Sequence, residues 1–149
     1  MAVLGEFRLI FKSVRSHFQW VETQTGVSGA QLWALAEVAA APGIRVTALA
    51  RALSLHQSTT SNLVERLEER KLLRRARAAD DQRGVRLHLT AAGKRLVAQA
   101  PQPLKGILPH ALERLSEEDL ALLRQQLRQL TAVMTNLDKR GRKTHLSDI

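Results

Sequence analysis

Six consecutive side chains carry hydroxyl or amide groups and no charge: Gln57, Ser58, Thr59, Thr60, Ser61 and Asn62. Such groups both donate and accept hydrogen bonds, which is the chemistry needed to read the exposed edges of DNA bases. Leu63, Val64 and Leu67 follow at helical spacing, so the polar run opens a helix. A helix N-terminus also carries partial positive charge, which favours a nearby phosphate. One or two such residues would be explained as a solvated helix start. Six in succession beside basic neighbours favour a contact with DNA.

The charge is placed to support that contact. The chain has 149 residues and a net charge of +9. Between Arg45 and Arg95 there are 12 Lys/Arg and 5 Asp/Glu, a local net charge of +7. A basic excess confined to one third of a chain points to a polyanion, nucleic acid before a membrane surface. Farther along, a segment holding Arg83 and followed by Arg86 lies between two strand-like stretches. An arginine at the tip of such a hairpin can enter a narrow minor groove, where the negative potential deepens. Asp80 or Asp81 would then pair with an arginine and keep its fork oriented.

Other chemistries find little support. Gly93-Lys94 lacks the upstream glycine of a phosphate loop. No Ser, His and Asp are tied together as a catalytic set, so the chain reads as a non-enzyme with no cofactor. His17, His56, His88, His110 and His145 show no paired spacing for a metal. A zinc site assembled across helices from His17, Glu22, Glu37 or His110 is the alternative weighed against surface or capping histidines. The absence of cysteine excludes disulfides and thiolate ligands. No apolar run approaches the ~18–20 residues of a membrane span, and the N-terminus lacks a secretory signal pattern. A cytoplasmic protein is expected.

The elements that must position these groups are mainly helical. Leu4, Phe7, Phe11, Val14, Phe18 and Val21 are spaced 3, 4, 3, 4, 3, a helix seam from about Gly5 to Thr25. A second helix begins after Ser28, with Gln31 placed for a capping box and Val27 and Leu32 for a hydrophobic staple. Pro42-Gly43 ends it. Arg45, Val46 and Thr47 read as a short strand. Leu49 and Leu53 give one short helix, and a tight corner at Ser54-Leu55 leads into the polar-fronted helix, the spacing of a helix-turn-helix. Leu72–Arg77 and Val85–Leu89 read as strands, and Thr90 as the cap of the next helix. Pro101, Pro103 and Pro109 predict a kink or break. Ser116 and Asp119 form a capping-box-like pair, with Leu115 and Leu120 as staple. Leu120, Leu123, Leu127, Leu130, Met134 and Leu137 then repeat the 3, 4, 3, 4, 3 spacing. Two long seams flanking a small central module are either core of the same subunit or the interface with a second copy, which is the more economical burial.

The stretch LARALSLHQSTTSNLVERLEERKLLRRARAADDQRGVRLHLTAAGKRL resembles the MarR family of transcriptional regulators. The resemblance rests on the wing D-x-R pattern at Asp81 and Arg83 and on the closing L-T-x-x-G at Leu89, Thr90 and Gly93. It extends through the helix order to nearly the whole chain. It implies a mainly α fold with a small β-wing, a winged helix-turn-helix flanked by N- and C-terminal dimerisation helices. The expected boundaries are 1–27, 28–95 for the DNA-binding domain, 96–140, and a basic tail at 141–149. It further implies a homodimer on a palindromic double-stranded operator, a repressor relieved by a small ligand. Ser58, Thr59, Ser61, Asn62 and Arg66 would lie on the recognition helix, and Arg83, steadied by Asp81, at the wing tip. A sensor pocket would lie between the dimer helices and the reading module, where His17, Trp20 and Trp33 suit a flat aromatic or phenolic ligand. Core packing of both tryptophans is the other account of them. A sequence-tolerant architectural protein that coats DNA, and a regulator without an effector, are alternatives to the whole reading.

Three residues or segments depart from the family pattern. Lys71 stands where glycine usually closes the recognition helix, so the helix either closes there on a left-handed lysine, at roughly 1 kcal/mol, or runs on. His56 stands where Ser or Thr commonly caps. The prolines after Ala100 predict a bent dimerisation helix.

Overall fold

The computed structural model describes residues 2–78 and 81–137, with backbone alone at 78, 81–83 and 136–137. Asp80 and the tail expected at 141–149 lie outside the described residues. The chain divides into two compact units, one ending at Ile107 and one beginning at Leu108.

The first unit contains α1 (Ala2–Thr25), α2 (Gly29–Ala40), α3 (Val46–Leu53), α4 (Gln57–Glu69), β1 (Leu73–Ala78), β2 (Asp81–Leu89) and α5 (Ala91–Gln99). Its centre is α2, which buries Leu32, Ala34, Leu35, Ala36 and Val38, including three consecutive positions. A helix apolar on most sides must be enclosed by its neighbours. Around it pack Leu49 and Leu53 of α3, Val64 and Leu67 of α4, Leu73 of β1, and Leu87 and Leu89 of β2. Each fully buried leucine contributes roughly 1.5–3 kcal/mol. The capping box of α2 forms as the sequence predicts: Gln31 N–H donates to Ser28 Oγ at 3.2 Å, and Ser28 N–H to Gln31 Oε1 at 3.0 Å. Val27 and Leu32 are both fully buried.

The tight corner after α3 is set by Ser54, whose φ of 55° is left-handed. Ser54 N–H donates to Arg51 O and Leu55 N–H to Ala50 O, the paired bonds of a Schellman closure. The chain thereby turns at once into α4, completing the helix-turn-helix.

β1 and β2 form a two-stranded antiparallel sheet, Leu73 facing Leu89 and Arg75 facing Leu87. The register shifts between Arg77 and Ala78, and Ala78 pairs with Asp81. The second strand therefore begins at Asp81, four residues earlier than the alternation of apolar residues indicates. The strand expected at Arg45, Val46 and Thr47 is absent. Ile44 alone bridges to Leu87, because Val46 and Thr47 already belong to α3. That bridge adds a third chain to the base of the wing: Gly43 N–H donates to Leu87 O at 2.8 Å and Leu87 N–H to Ile44 O at 3.0 Å.

Of the α1 seam, only Val21 is buried, with His17 beside it. Leu4, Phe11 and Phe18 are 44%, 51% and 39% exposed. Phe18 lies against Gly29, where any Cβ would overlap its ring, so α1 and α2 meet closely at that point.

The prolines break the chain as predicted: residues 100–106 separate α5 from α6 (Ile107–Leu112). Pro109 is the third residue of α6, where a missing N–H costs nothing. In the second unit α7 (Glu117–Leu137) follows Ser116. Asp119 N–H donates to Ser116 Oγ at 3.1 Å, while Ser116 Oγ–H donates to Asp119 Oδ2 at 2.7 Å. That is a one-sided cap, since the carboxylate takes the hydroxyl proton. Along α7, Leu123, Leu127, Leu130 and Met134 are 37–58% exposed. Leu112, Leu120, Leu123 and Leu127, with Arg124, Arg128 and Thr131, line a groove of about 440 Å³.

Candidate nucleic-acid interface

The N-terminal half of α4 presents its polar groups outward. Gln57, Ser58 and Asn62 are exposed, Thr59 and Ser61 are half-buried, and Arg66 is exposed one turn beyond Asn62. Ser58, Asn62 and Arg66 follow at four-residue intervals and share one face. No acidic residue lies in the first turn. The carboxylates of Glu65, Glu68 and Glu69 come only in the second half. A phosphate approaching the helix start therefore meets partial positive charge and small donors without a like charge to repel it.

Thr60 is a correction to the six-residue run. It is fully buried, and its hydroxyl donates to His56 O at 3.0 Å. Helical geometry turns one residue in each three or four toward the core, and Thr60 shares that side with Val64 and Leu67. His56 stands at the N-cap, and its side chain makes no cap hydrogen bond to the helix.

The far end of α4 is closed at Lys71, the costlier of the two endings that the sequence leaves open. Lys71 adopts φ 56°. Its N–H donates to Glu68 O at 2.8 Å, and Leu72 N–H donates to Leu67 O at 3.0 Å. These are again the two bonds of a Schellman closure, with Leu67 and Leu72 both in the core as its hydrophobic partners. Burying Leu72 and satisfying two carbonyls outweighs the roughly 1–2 kcal/mol that a left-handed L-residue costs.

Wing and helix are joined directly. Arg75 N–H donates to Glu68 Oε1 at 3.3 Å, and Arg75 Nε lies 3.6 Å from Glu68 Oε2. Arg86, expected at DNA, is half-buried, and its Nη1 donates to Gly43 O at 3.4 Å. One of its donors thus braces the base of the wing. The backbone of Asp81 and Arg83 is strand, and their side chains lie outside the described residues. On the opposite strand Arg74 and Arg77 are exposed, two cations that the alternation of apolar residues did not single out. The LRRARA run was the signal that could have found them.

The expected sensor residues come together only in part. The rings of His17 and Trp20 lie 5.8 Å apart, and Trp20 is 47% exposed. His17 is 9% exposed, and its Nε2 has no hydrogen-bond partner among the described residues. Burial pulls the His17 pKa below its ordinary value, opposed by a hydrogen bond to the Pro103 backbone. Trp33 is engaged elsewhere: its Nε1 donates to Glu37 Oε1 at 3.0 Å, and Lys105 Nζ lies 3.3 Å from the same oxygen. Among the described residues no three His, Asp or Glu side chains gather to hold a metal. Nor is any described helix long and apolar enough to cross a membrane.

A helix-turn-helix with an outward polar helix start and an adjoining two-stranded wing defines a winged-helix DNA-binding protein. The comparisons agree. The MarR family model matches residues 25–84. The transcriptional regulator HosA of Escherichia coli O127:H6 is 30% identical over 125 residues, covering 80% of this chain and 93% of HosA. The HTH-type transcriptional regulator YsmB of Bacillus subtilis is 29% identical over 73 residues, 49% of this chain and 50% of that protein. The match thus spans half the length of YsmB and nearly all of HosA. Among solved structures, the S. aureus MepR–DNA complex superposes with a TM-score of 0.60 at 27% identity, over 89% of this chain and 94% of that chain. The chain belongs to the MarR family, whose members are transcriptional regulators and not enzymes.

Proposed function

We propose that two copies of this chain pair and read a palindromic operator, each laying the start of α4 in a major groove with its wing alongside. The observation that carries this is the outward run of Ser58, Asn62 and Arg66 on a helix whose first turn holds no acid and that a wing flanks. Half-sites about one helical turn apart follow from that geometry. Arg83 would enter the minor groove, steadied by Asp81. The bare apolar seam of α1, and separately that of α7, supports pairing, since exposed leucine and phenylalanine at heptad spacing are best covered by a second copy. A dimer seated on an operator blocks it to other proteins, so repression is the reading, carried out in the cytoplasm.

Release by a small aromatic or phenolic ligand is supported by the His17–Trp20 pair, a buried unpaired nitrogen beside a half-exposed indole. Such a ligand would favour a spacing of the two reading helices that DNA does not accept. The test is a titration of the protein against duplexes selected from its own genome and against scrambled duplexes. A preference of ~10³ or more supports an operator-specific regulator. A ratio near one supports an architectural protein that coats DNA, the reading that the basic charge alone would favour.

A further inference from the structure

We propose that Arg70 is a positioning residue that clamps the end of the reading helix α4 to the end of α1, and so sets the distance between the reading helices of two paired copies. The inference rests on the homodimer reading. Arg70 is the first residue beyond α4, and its Nη1 donates to Gly26 O at 2.6 Å. Gly26 closes α1 with a φ of 71°, its N–H donating to Glu22 O at 2.8 Å. A Cβ built on Gly26 would lie 3.5 Å from Arg70 Nη2, so the guanidinium rests on the glycine.

One cation therefore serves the C-terminal ends of two helices. The last turn of α1 contains no basic residue of its own. The negative end of its dipole is met instead by a side chain 44 positions farther along. The stem of that side chain starts from a fixed point. Arg70 N–H bonds to Arg66 O, and the left-handed Lys71 locks the turn that follows.

The geometry matters because, among the described residues, the buried positions of α1 lie toward its C-terminal end. His17 and Val21 are its buried residues, while Leu4 and Phe11 stay exposed and Phe7 and Val14 are half-buried. At 1.5 Å per residue a helix of this length spans roughly 36 Å. A tilt of about 10° at the clamped end thus displaces the other end by about 6 Å, near two base-pair steps at ~3.4 Å each. If copies pair through α1, a change at Arg70 becomes a change in half-site spacing.

The experiment selects duplexes from a random pool with the wild-type protein, then lengthens or shortens the centre of the selected palindrome by one and two base pairs. The wild type is expected to prefer the selected spacing about tenfold or more. Arg70→Met is expected to remain dimeric by sedimentation and keep its salt slope, while its preference falls to within about threefold. Arg70→Lys, which retains charge and a donor, is expected to fall between them, and it serves as the test if the methionine variant does not fold. Unchanged spacing preference in Arg70→Met overturns the proposal. So does a salt slope reduced by about one, which marks a phosphate contact. A monomeric wild type, or selection of a single half-site, fails the homodimer reading first and is distinguishable from both.

Discussion

Gly93 sits directly against the backbone carbonyl of Leu72, so that any Cβ at position 93 would overlap that oxygen. The contact is one strand of a knot where the wing returns to the reading helix. Thr90 N–H donates to Leu72 O at 3.1 Å, Thr90 Oγ1 donates to Lys71 O at 2.7 Å, and Gly93 N–H donates to Thr90 Oγ1 at 3.1 Å. One threonine hydroxyl thus caps α5 and ties it to the residues that close α4. The L-T-x-x-G motif holds the wing exit to the recognition helix, and glycine is required because backbone already fills the space.

Gly93→Ala is accordingly expected to cost about 3 kcal/mol, at the upper end for overpacking, because the obstructing atom is backbone and cannot rotate away. Urea denaturation followed by circular dichroism measures it. A loss under about 0.5 kcal/mol would mean that the α5 start shifts freely.

Lys71→Gly is expected to stabilise the protein by about 1 kcal/mol by relieving the left-handed strain, net of the greater chain entropy of glycine. The same denaturation measurement applies. Destabilisation would show that the lysine stem makes compensating contacts.

Asn62→Ala is expected to weaken binding to the selected duplex by about 1–3 kcal/mol and to leave scrambled DNA unaffected. Arg83→Ala is expected to weaken both and to lower the salt slope by about one. Fluorescence anisotropy across a salt series reads both quantities. Equal losses on the two duplexes for Asn62→Ala would place that residue at the phosphates.

Much of this fold and of the candidate site's framework was legible in the sequence, and the remainder failed for identifiable reasons. The capping box at Ser28 and Gln31 is local chemistry, so three residues suffice to predict it. The α4 helix and its polar start follow from periodicity. Thr60 was misassigned because composition cannot say which member of a polar run turns inward, and that is decided by packing beside Val64 and Leu67. The closure at Lys71 stays open in the sequence because residue preference argues against a left-handed lysine, and only the burial of Leu72 decides it. Arg70 carried no signal at all, since its partner Gly26 lies 44 residues away.

Thr60→Val separates these roles within one turn. Among the described residues the hydroxyl of Thr60 bonds to the N-cap carbonyl of its own helix, so the variant is expected to bind the selected duplex as wild type and to change stability by less than about 1.5 kcal/mol. Ser58→Ala, on the exposed side, is expected to lose affinity. Loss of affinity in Thr60→Val with unchanged stability would return Thr60 to the DNA face.

His17 gives the fold a pH dependence whose sign follows from its burial. The ring is held below its ordinary pKa of about 6.5 by desolvation, against the opposing hydrogen bond to the Pro103 backbone. Between the lower folded value and the unfolded one, the unfolded chain binds more protons. The contribution of His17 is therefore fully present above about pH 6.5 and is lost progressively as pH falls through that window, levelling off below the folded pKa. In His17→Phe, which fills the same space without a titrating nitrogen, the denaturation midpoint is expected to change less between pH 7.5 and pH 5 than in the wild type, the difference being the part owed to this ring. Equal pH dependence in the two proteins would show that His17 is solvated or paired in solution, and would remove the buried lone pair on which the proposed ligand contact depends.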